Sequence, residues 1–292
     1  MSQKIKKAVI PAAGFGTRML PFTKAVPKEL IPLADKPVIQ YVVEEAVNSG
    51  IEEILLILSH GKDAILNHFA PAPELEARLH ETGKHQLLEE INSIGQSVKI
   101  SAVYQEELDG LGGAVKLAEN FVGDDFFAVL LGDTVLTSSN GIPVTRQLID
   151  ACNCCGTSVA AVETVPVERI SNYGIIGGTH LDANLLRVEA MVEKPSVKEA
   201  PGNYAVASRY ILSPEIFPAL HRTQRGKGNE VQLTDALKKF IPDNKLHAWR
   251  INGSRYDLGS KAGFICANIE FALQDPELAQ TVKNKLSSLL KN

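Results

Sequence analysis

The chain has 292 residues, 45% of them hydrophobic, which is enough to bury the core of one large domain or two small ones. Its 30 basic and 34 acidic residues give a net charge of −4, which excludes a broad positive surface for nucleic acid or a membrane. No segment reaches the roughly 18 apolar residues of a membrane span. We therefore expect a soluble, cytoplasmic protein, and any phosphate recognition must be local.

Short apolar runs alternate with helical patterns through the first half of the chain. The runs predict strands at 8–10, 54–58, 98–104, 126–131 and 158–162. A helix is predicted from Pro37 to Ser49, closed by Gly50, and a second helical stretch from Ala72 to Ile94 with a break at Gly83. This order is typical of a parallel sheet that helices cover on both faces.

The first strand leads into an unusual segment, AAGFGTRMLPFTKAVPKELIPL. Gly14 and Gly16 would let backbone N–H groups approach a phosphate, and Arg18 and Lys28 supply positive charge. On the glycine pattern alone, an ordinary tight turn is favoured. Met19 stands where a dinucleotide fold needs a third glycine, and the Gly-Lys-Ser/Thr of a P-loop does not occur. Pro21, Pro27 and Pro32 predict a stiffened flap from 21 to 32 that lays Lys28 over a triphosphate.

The next chemical signal is Asp133, which follows the apolar run Phe126–Leu131. Ligands of an open parallel sheet sit at the carboxyl ends of its strands, so we expect Asp133 at the same edge as the first loop. Magnesium is normally held by one or two carboxylates plus substrate phosphates, which makes Asp133 a candidate ligand. Considered alone, this aspartate fits a helix or turn cap equally well.

The second half of the chain has shorter elements. Three of the four cysteines crowd into 152–155 without a second pair at zinc-ligand spacing, so we expect free thiols on a helix. Strands are predicted at 173–176, 188–193 and 204–212, and helices at 214–220, at 232–240 and over most of 262–290.

Two charged motifs lie in this half, VEKP at a strand end and YDLG in a predicted turn. Surface ion pairs and aspartate turns are common, so each motif is weak alone. Together with the first loop, the LLGD strand end, EVQLTDAL and the glycine-rich spacing after Gln105, they resemble the bacterial UTP-glucose-1-phosphate uridylyltransferases over nearly the whole chain. The long first motif is the most specific, particularly Pro27-Lys28-Glu29.

The resemblance implies an α/β, Rossmann-like nucleotidyltransferase fold with a mixed, mainly parallel sheet flanked by helices. A single domain would span 1–292, with 1–163 mainly binding the nucleotide and 164–292 mainly binding the sugar phosphate and adding the C-terminal helices. The implied reaction converts UTP and glucose 1-phosphate to UDP-glucose and pyrophosphate with Mg²⁺. A homodimer or homotetramer is expected.

The resemblance also implies roles for individual residues. The nucleotide-binding set is Ala12, Ala13, Gly14, Gly16, Thr17, Arg18, Lys28, Glu29, Gln105 and Gly112, with the last two reading the uracil edge. The sugar-phosphate set is Gly174, Glu193, Lys194 and Val206, with Lys194 meeting the phosphate. Asp133 and Asp257 would hold Mg²⁺, and the catalytic set would be Arg18, Lys28, Asp133 and Lys194.

Three positions depart from the family's pattern. Tyr104 precedes the glutamine where Arg is usual, Gly113 stands where His is usual, and Gly132 stands where Pro or Asp is common. They touch the expected nucleotide pocket, so a sister enzyme for another pyrimidine nucleotide or sugar 1-phosphate stays open. A non-catalytic regulatory paralogue is a third alternative, but it should have lost a charged catalytic residue, and none is missing.

Overall fold

The structure is a computed structural model that describes residues 4–290. Its strands are β1 (Lys7–Pro11), β2 (Pro32–Leu33), β3 (Lys36–Pro37), β4 (Glu53–Leu58), β5 (Lys99–Tyr104), β6 (Phe127–Leu130), β7 (Thr134–Ser138), β8 (Ser158–Thr164), β9 (Gly174–His180), β10 (Leu185–Glu193), β11 (Tyr204–Leu212), β12 (Leu246–Arg250) and β13 (Gly253–Asp257).

The α-helices are α1 (Val38–Asn48), α2 (Asp63–Asn67), α3 (Pro73–Glu81), α4 (His85–Ser93), α5 (Leu111–Lys116), α6 (Glu119–Val122), α7 (Val144–Cys155), α8 (Ile216–His221), α9 (Leu233–Leu237), α10 (Lys261–Gln274) and α11 (Ala279–Leu289). Short 3₁₀ turns lie at Thr17–Met19, Phe22–Lys24, Lys28–Leu30, Val167–Asn172, Lys227–Asn229 and Lys238–Phe240. Within residues 4–290, no helix combines the length and apolarity needed to span a bilayer.

Nine strands form one sheet in the order β5-β4-β1-β6-β11-β8-β12-β10-β9. Strands β5, β4, β1 and β6 run parallel, as do β8 and β12, whereas β11 is antiparallel to β6 and β8, and β10 to β12 and β9. The sheet is mixed, as expected, and its parallel pairing is concentrated in the first half. The chain builds outward from β1 to β5 and then crosses to β6. The order therefore reverses between β1 and β6, the place where such sheets bind ligands.

Both faces of the sheet are buried, which explains the continuous apolar runs. Val9 packs with α5, α8 and α9 on one face, whereas Ala8 and Ile10 pack with α1 and α7 on the other. Each fully buried Val, Leu or Ile side chain contributes about 1.5–3 kcal/mol relative to exposure. The loops that follow β1 and β6 therefore begin at the carboxyl ends of two central strands that are packed on both faces.

Most predicted elements are present with boundaries shifted by a few residues. The stretch from Ala72 to Ile94 divides into α3 and α4 around Gly83, as predicted, and Gly83 has a φ of +68°. The clustered cysteines lie on α7 as free thiols, also as predicted. Strands β7, β12 and β13 were not expected from the sequence.

The placement of Tyr256 and Asp257 in a turn is wrong. Both residues belong to β13, which pairs antiparallel with β7, and the turn begins at Leu258. The two strands lie far apart in the sequence and form a separate two-stranded sheet. The sequence gives no sign that β13 pairs with β7, so the turn-forming residues Asp257 and Gly259 led to the prediction of a turn.

Candidate active site

The loop after β1 folds back so that Lys28 lies over its glycines. Thr23 Oγ1 donates a hydrogen bond of 2.8 Å to the carbonyl oxygen of Gly16. Gly16 has a φ of +67°, and a side chain there would begin 3.1 Å from Lys28 Cβ, so this position requires glycine. Three 3₁₀ turns replace the helix that usually follows such a loop. The predicted flap is therefore present, and it brings the Lys28 side chain to the loop.

Asp133 lies beyond the carboxyl end of β6, where Lys28 meets it. The distance from Lys28 Nζ to Asp133 Oδ2 is 2.5 Å. Burial by itself favours the neutral form of each group, but the opposite charges outweigh it. Asp133 and then Glu29 raise the pKa of Lys28, while Lys28 and then Arg18 lower the pKa of Asp133. Both groups are therefore charged at neutral pH.

Asp257 reaches the same place through the pairing of β13 with β7. Its partner in the register is Thr134, the residue after Asp133. Arg18 Nη1 lies 3.8 Å from Asp257 Oδ2, and the N–H of Gly259 donates to Asp257 Oδ1 at 3.0 Å. A side chain at Gly259 would begin 2.5 Å from Arg18 Nη2, so the YDLG turn packs directly against the first loop.

The two aspartates are residues that could hold a divalent cation together with oxygen atoms of a substrate. Magnesium commonly takes one or two carboxylates and fills its other positions with phosphate oxygens and water. The Lys28 ammonium pairs with Asp133, so this carboxylate already has a positively charged partner. Among residues 4–290, no group of three or more His, Cys, Asp or Glu side chains forms a ready-made metal cage.

A cavity of about 250 Å³ opens beside this cluster. Of the predicted nucleotide residues, those that line it are Ala12, Ala13, Gly14, Lys28, Glu29 and Gln105, and Asp133 lines it too. Gly16, Thr17 and Arg18 belong to the same loop but do not line the cavity. The structure thus gathers the first loop, the LLGD aspartate and Gln105 around one space.

A second cavity of about 250 Å³ adjoins the first, and both are lined by Leu111, Leu131 and Glu230. The four predicted sugar-phosphate residues, Gly174, Glu193, Lys194 and Val206, all line this second cavity. Thr234 Oγ1 donates to Glu193 Oε2 at 2.7 Å, and a side chain at Gly174 would begin 3.0 Å from that same oxygen. The Glu193 carboxylate is therefore held in place, and Gly174 leaves room for it.

Gln105 is oriented by a contact that the sequence did not reveal. Its Nε2 donates to Asp109 Oδ1 at 2.8 Å and to the carbonyl oxygen of Gly110 at 3.3 Å. Oε1 is the remaining acceptor of the amide. A side chain at Gly113 would begin 1.7 Å from Asp109 Oδ1, so the absence of a side chain at Gly113 makes room for the aspartate that holds Gln105.

Gly112 and Tyr104, which the sequence placed at the nucleotide pocket, do not line the first cavity. The N–H of Gly112 donates to the carbonyl oxygen of Val231 at 2.8 Å, and a side chain there would begin 2.6 Å from that oxygen. Packing therefore explains this glycine, and its contact with uracil stays a prediction. Tyr104 donates its hydroxyl hydrogen bond to Asp63 and stacks on His60 with ring centroids 5.3 Å apart.

A sequence profile of the nucleotidyl transferase family matches residues 7–273. The chain belongs to this family. This nucleotidyl transferase is similar to YngB of Bacillus subtilis (strain 168), a UTP–glucose-1-phosphate uridylyltransferase. The two are 46% identical over 291 residues, which cover 100% of this chain and 97% of YngB.

Solved structures agree with the expected nucleotidyltransferase fold, which is thereby confirmed. A UTP-bound UGPase from Acinetobacter baumannii is 38% identical with a TM-score of 0.91, covering 98% of this chain and 99% of that chain. A UDP-glucose pyrophosphorylase complexed with UDP-glucose is 38% identical with a TM-score of 0.86, covering 93% of this chain and 100% of that chain.

Two buried cations of this nucleotidyl transferase escaped the sequence reasoning. Arg209 is 1% exposed, pairs with Glu45, and donates to the carbonyl oxygens of Leu131 and Thr134 on either side of the Asp133 turn. The sequence does contain an indication of Arg209, because this charged residue interrupts the apolar run of β11. The second buried cation is Lys62, and no local sequence pattern indicates its burial.

Proposed function

We propose that this nucleotidyl transferase transfers UMP from UTP to glucose 1-phosphate, giving UDP-glucose and pyrophosphate. The observation that carries the proposal is the pair of adjoining cavities. One holds the glycine loop and Asp133, the other holds Glu193 and Lys194, and they share lining residues. Two phosphorylated substrates can therefore meet end to end beside Asp133. The reaction named for the full-length relative supports this choice of substrates.

The proposed reaction requires no protein nucleophile. A phosphate oxygen of glucose 1-phosphate attacks the α-phosphorus of UTP, and the bond to pyrophosphate breaks with its electron pair leaving on pyrophosphate. Negative charge accumulates on the leaving group, so the protein contributes mainly by positioning and by neutralising charge. Lys28 and the loop N–H groups would bind the triphosphate, and Arg18 would add positive charge from the loop's outer side.

Asp133 and Asp257 are the residues we propose to hold Mg²⁺. When bound, the ion would supply positive charge to the triphosphate and to the departing pyrophosphate. Arg209 would keep the Asp133 turn in position through the carbonyl groups of Leu131 and Thr134. Simultaneous formation of UDP-glucose and pyrophosphate in equal amounts from UTP, glucose 1-phosphate and Mg²⁺ would establish the overall reaction.

Gln105 is proposed to read the base through Oε1. Its Nε2 is already bonded to Asp109, so the amide presents an acceptor to the ligand. Uracil and thymine carry a ring N–H that such an acceptor can bind, whereas the corresponding nitrogen of cytosine is itself an acceptor. The geometry around Gln105 therefore favours UTP and dTTP over CTP.

We expect UTP to be the best triphosphate and dTTP to be a partial substrate. CTP lacks the ring N–H, and ATP and GTP carry a larger purine for which a pyrimidine pocket has little room, so all three should fall at least about tenfold lower in kcat/KM. Pyrophosphate release with glucose 1-phosphate as the common acceptor measures this order. Rates with CTP or ATP comparable to those with UTP would contradict the base-reading role of Gln105.

Lys194→Ala should raise the KM for glucose 1-phosphate while leaving the affinity for UTP nearly intact. Lys194 follows β10 with a φ of +44°, and its N–H donates to the carbonyl oxygen of Tyr173 at 3.0 Å, which fixes its backbone beside the second cavity. Losing a charge-assisted contact to phosphate costs about 1.5–3 kcal/mol, or roughly ten- to more than a hundredfold. Steady-state kinetics and UTP calorimetry separate the two substrates.

Lys198→Ala is the matched control for that substitution, because Lys198 is exposed on the same segment and does not line the cavity. It should behave like the wild type. Weaker UTP binding by Lys194→Ala with an unchanged KM for glucose 1-phosphate would place Lys194 in the nucleotide site and contradict the division of the chain into two substrate halves.

A further inference from the structure

A buried lysine lies beneath the glycine loop. Lys62, just before α2, is only 7% exposed. Its Nζ donates to the carbonyl oxygens of Ala12 at 2.6 Å and Gly14 at 2.7 Å, and to Glu29 Oε2 at 2.9 Å. An ammonium group has three N–H donors, so each of them has a partner here. Two of the three partners are backbone atoms of the loop that lines the first cavity.

These contacts draw the loop's carbonyl groups toward Lys62. Within residues 4–290, none of the backbone N–H groups from Ala13 to Gly16 donates a hydrogen bond. A run of N–H groups without protein partners at the end of a strand forms a concave donor set that binds anions. The buried ammonium therefore holds the acceptors of this loop on one side and leaves its donors for a ligand.

Glu29 completes the arrangement. Its side chain is 0% exposed, and its carboxylate is paired with Lys62. The sequence predicts that Glu29 belongs to the nucleotide site, and Glu29 does line the cavity, but the pairing commits its charge to Lys62. A buried ammonium would be costly alone and becomes acceptable when it is paired and fully hydrogen-bonded. The pair also offsets a negative charge that would otherwise repel a triphosphate.

We infer that Lys62 is a positioning residue for the phosphate-binding loop. It fixes the carbonyl groups of Ala12 and Gly14 so that the N–H groups of Ala13 to Gly16 are aligned for the phosphates of the nucleotide. The inference rests on the proposed function in taking UTP as the ligand of this loop. Because Lys62 contacts the first loop and no residue that is specific to the second cavity, its loss should weaken triphosphate binding selectively.

A double variant tests this role without leaving an unpaired buried carboxylate. Lys62→Met removes the ammonium and keeps a long side chain, and Glu29→Gln removes its partner's charge. We expect the double variant to bind UTP at least about tenfold more weakly in calorimetry at a temperature well below its Tm. The KM for glucose 1-phosphate at saturating UTP should stay within about threefold of wild type, a difference below 1 kcal/mol.

The matched control is Lys99→Met with Glu53→Gln, which removes an exposed ion pair of 3.5 Å between the edge strand β5 and its neighbour β4. It should change neither constant. Lys62→Arg with Glu29 unchanged keeps a positive donor group and its carboxylate partner, so it should bind UTP more tightly than the double variant does.

The inference would be overturned if the double variant had a lowered Tm but bound UTP within about twofold of wild type. A twofold change in affinity corresponds to a binding free energy smaller than RT. Such a result would limit Lys62 to fold stability. Equal losses for UTP and glucose 1-phosphate would also overturn it, because they indicate a general collapse of the site. If the wild type fails to bind UTP, the proposed function fails instead, and the same variant-to-wild-type ratio is measured with the triphosphate that the wild type binds.

Discussion

Asp133→Asn is expected to lower the turnover of UTP and glucose 1-phosphate by about three orders of magnitude or more. The amide nearly matches the carboxylate in size, so the turn after β6 should keep its shape. It carries no charge with which to hold a divalent cation. It also removes the partner of Lys28, whose Nζ lies 2.5 Å from Asp133 Oδ2. Pyrophosphate release measured over a range of Mg²⁺ concentrations tests this expectation.

Asp125→Asn provides the control, because Asp125 is exposed near the opposite end of β6 and pairs with Lys7 at 3.5 Å. Its turnover should equal that of the wild type. Asp257→Asn should be impaired in the same direction as Asp133→Asn, since Asp257 is the proposed second ligand. Full turnover of Asp133→Asn at ordinary Mg²⁺ would remove Asp133 from the mechanism. Full turnover of Asp257→Asn would leave Asp257 only as the partner of Arg18.

The sequence predicted those parts of the site whose chemistry is concentrated in short segments. Gly16 and Lys28 stand in one loop with several prolines, and the structure shows that the stem of Lys28 packs over Gly16. Asp133 follows an uninterrupted apolar strand, so its place at the edge of the sheet follows from the strand itself. In each case the local pattern contains both the chemical group and the element that positions it.

Contacts between distant segments could not be predicted in the same way. Lys62 binds the carbonyl oxygens of Ala12 and Gly14, and a carbonyl group leaves no mark in the sequence because every residue has one. The pairing of β13 with β7 joins two short strands without long apolar runs, so the strand position of Asp257 was missed. Gly112 was assigned to uracil binding, but a side chain there would collide with the carbonyl oxygen of Val231. This packing contact with a distant segment also leaves no local pattern in the sequence.

Lys28 connects the proposed metal site to the nucleotide site. Its ammonium pairs with Asp133, the carboxylate that we propose to hold the divalent cation, so we expect the ammonium and the cation to compete for it. A triphosphate offers Lys28 an alternative anionic partner and at the same time supplies oxygen ligands for the cation. Nucleotide and cation should therefore strengthen each other's binding, with Lys28 moving from the carboxylate to the phosphates.

Lys28→Met should consequently have two opposite effects. The kcat/KM for UTP should fall by about a hundred- to a thousandfold, the usual effect of removing one group that stabilises developing charge. Binding of Mn²⁺ in the absence of nucleotide should become tighter than in the wild type, because Asp133 no longer has a competing ammonium. Calorimetry and the electron paramagnetic resonance signal of free Mn²⁺ measure the second effect independently of turnover.

Lys24→Met is the matched control, since Lys24 is exposed on the same flap and does not line either cavity. It should leave both kcat/KM and Mn²⁺ affinity at wild-type values. If Lys28→Met loses activity but binds Mn²⁺ no more tightly, Lys28 acts only on the phosphates and does not compete for Asp133. If it keeps wild-type kcat/KM, Lys28 has no part in the reaction, although the fold holds it against both the glycine loop and Asp133.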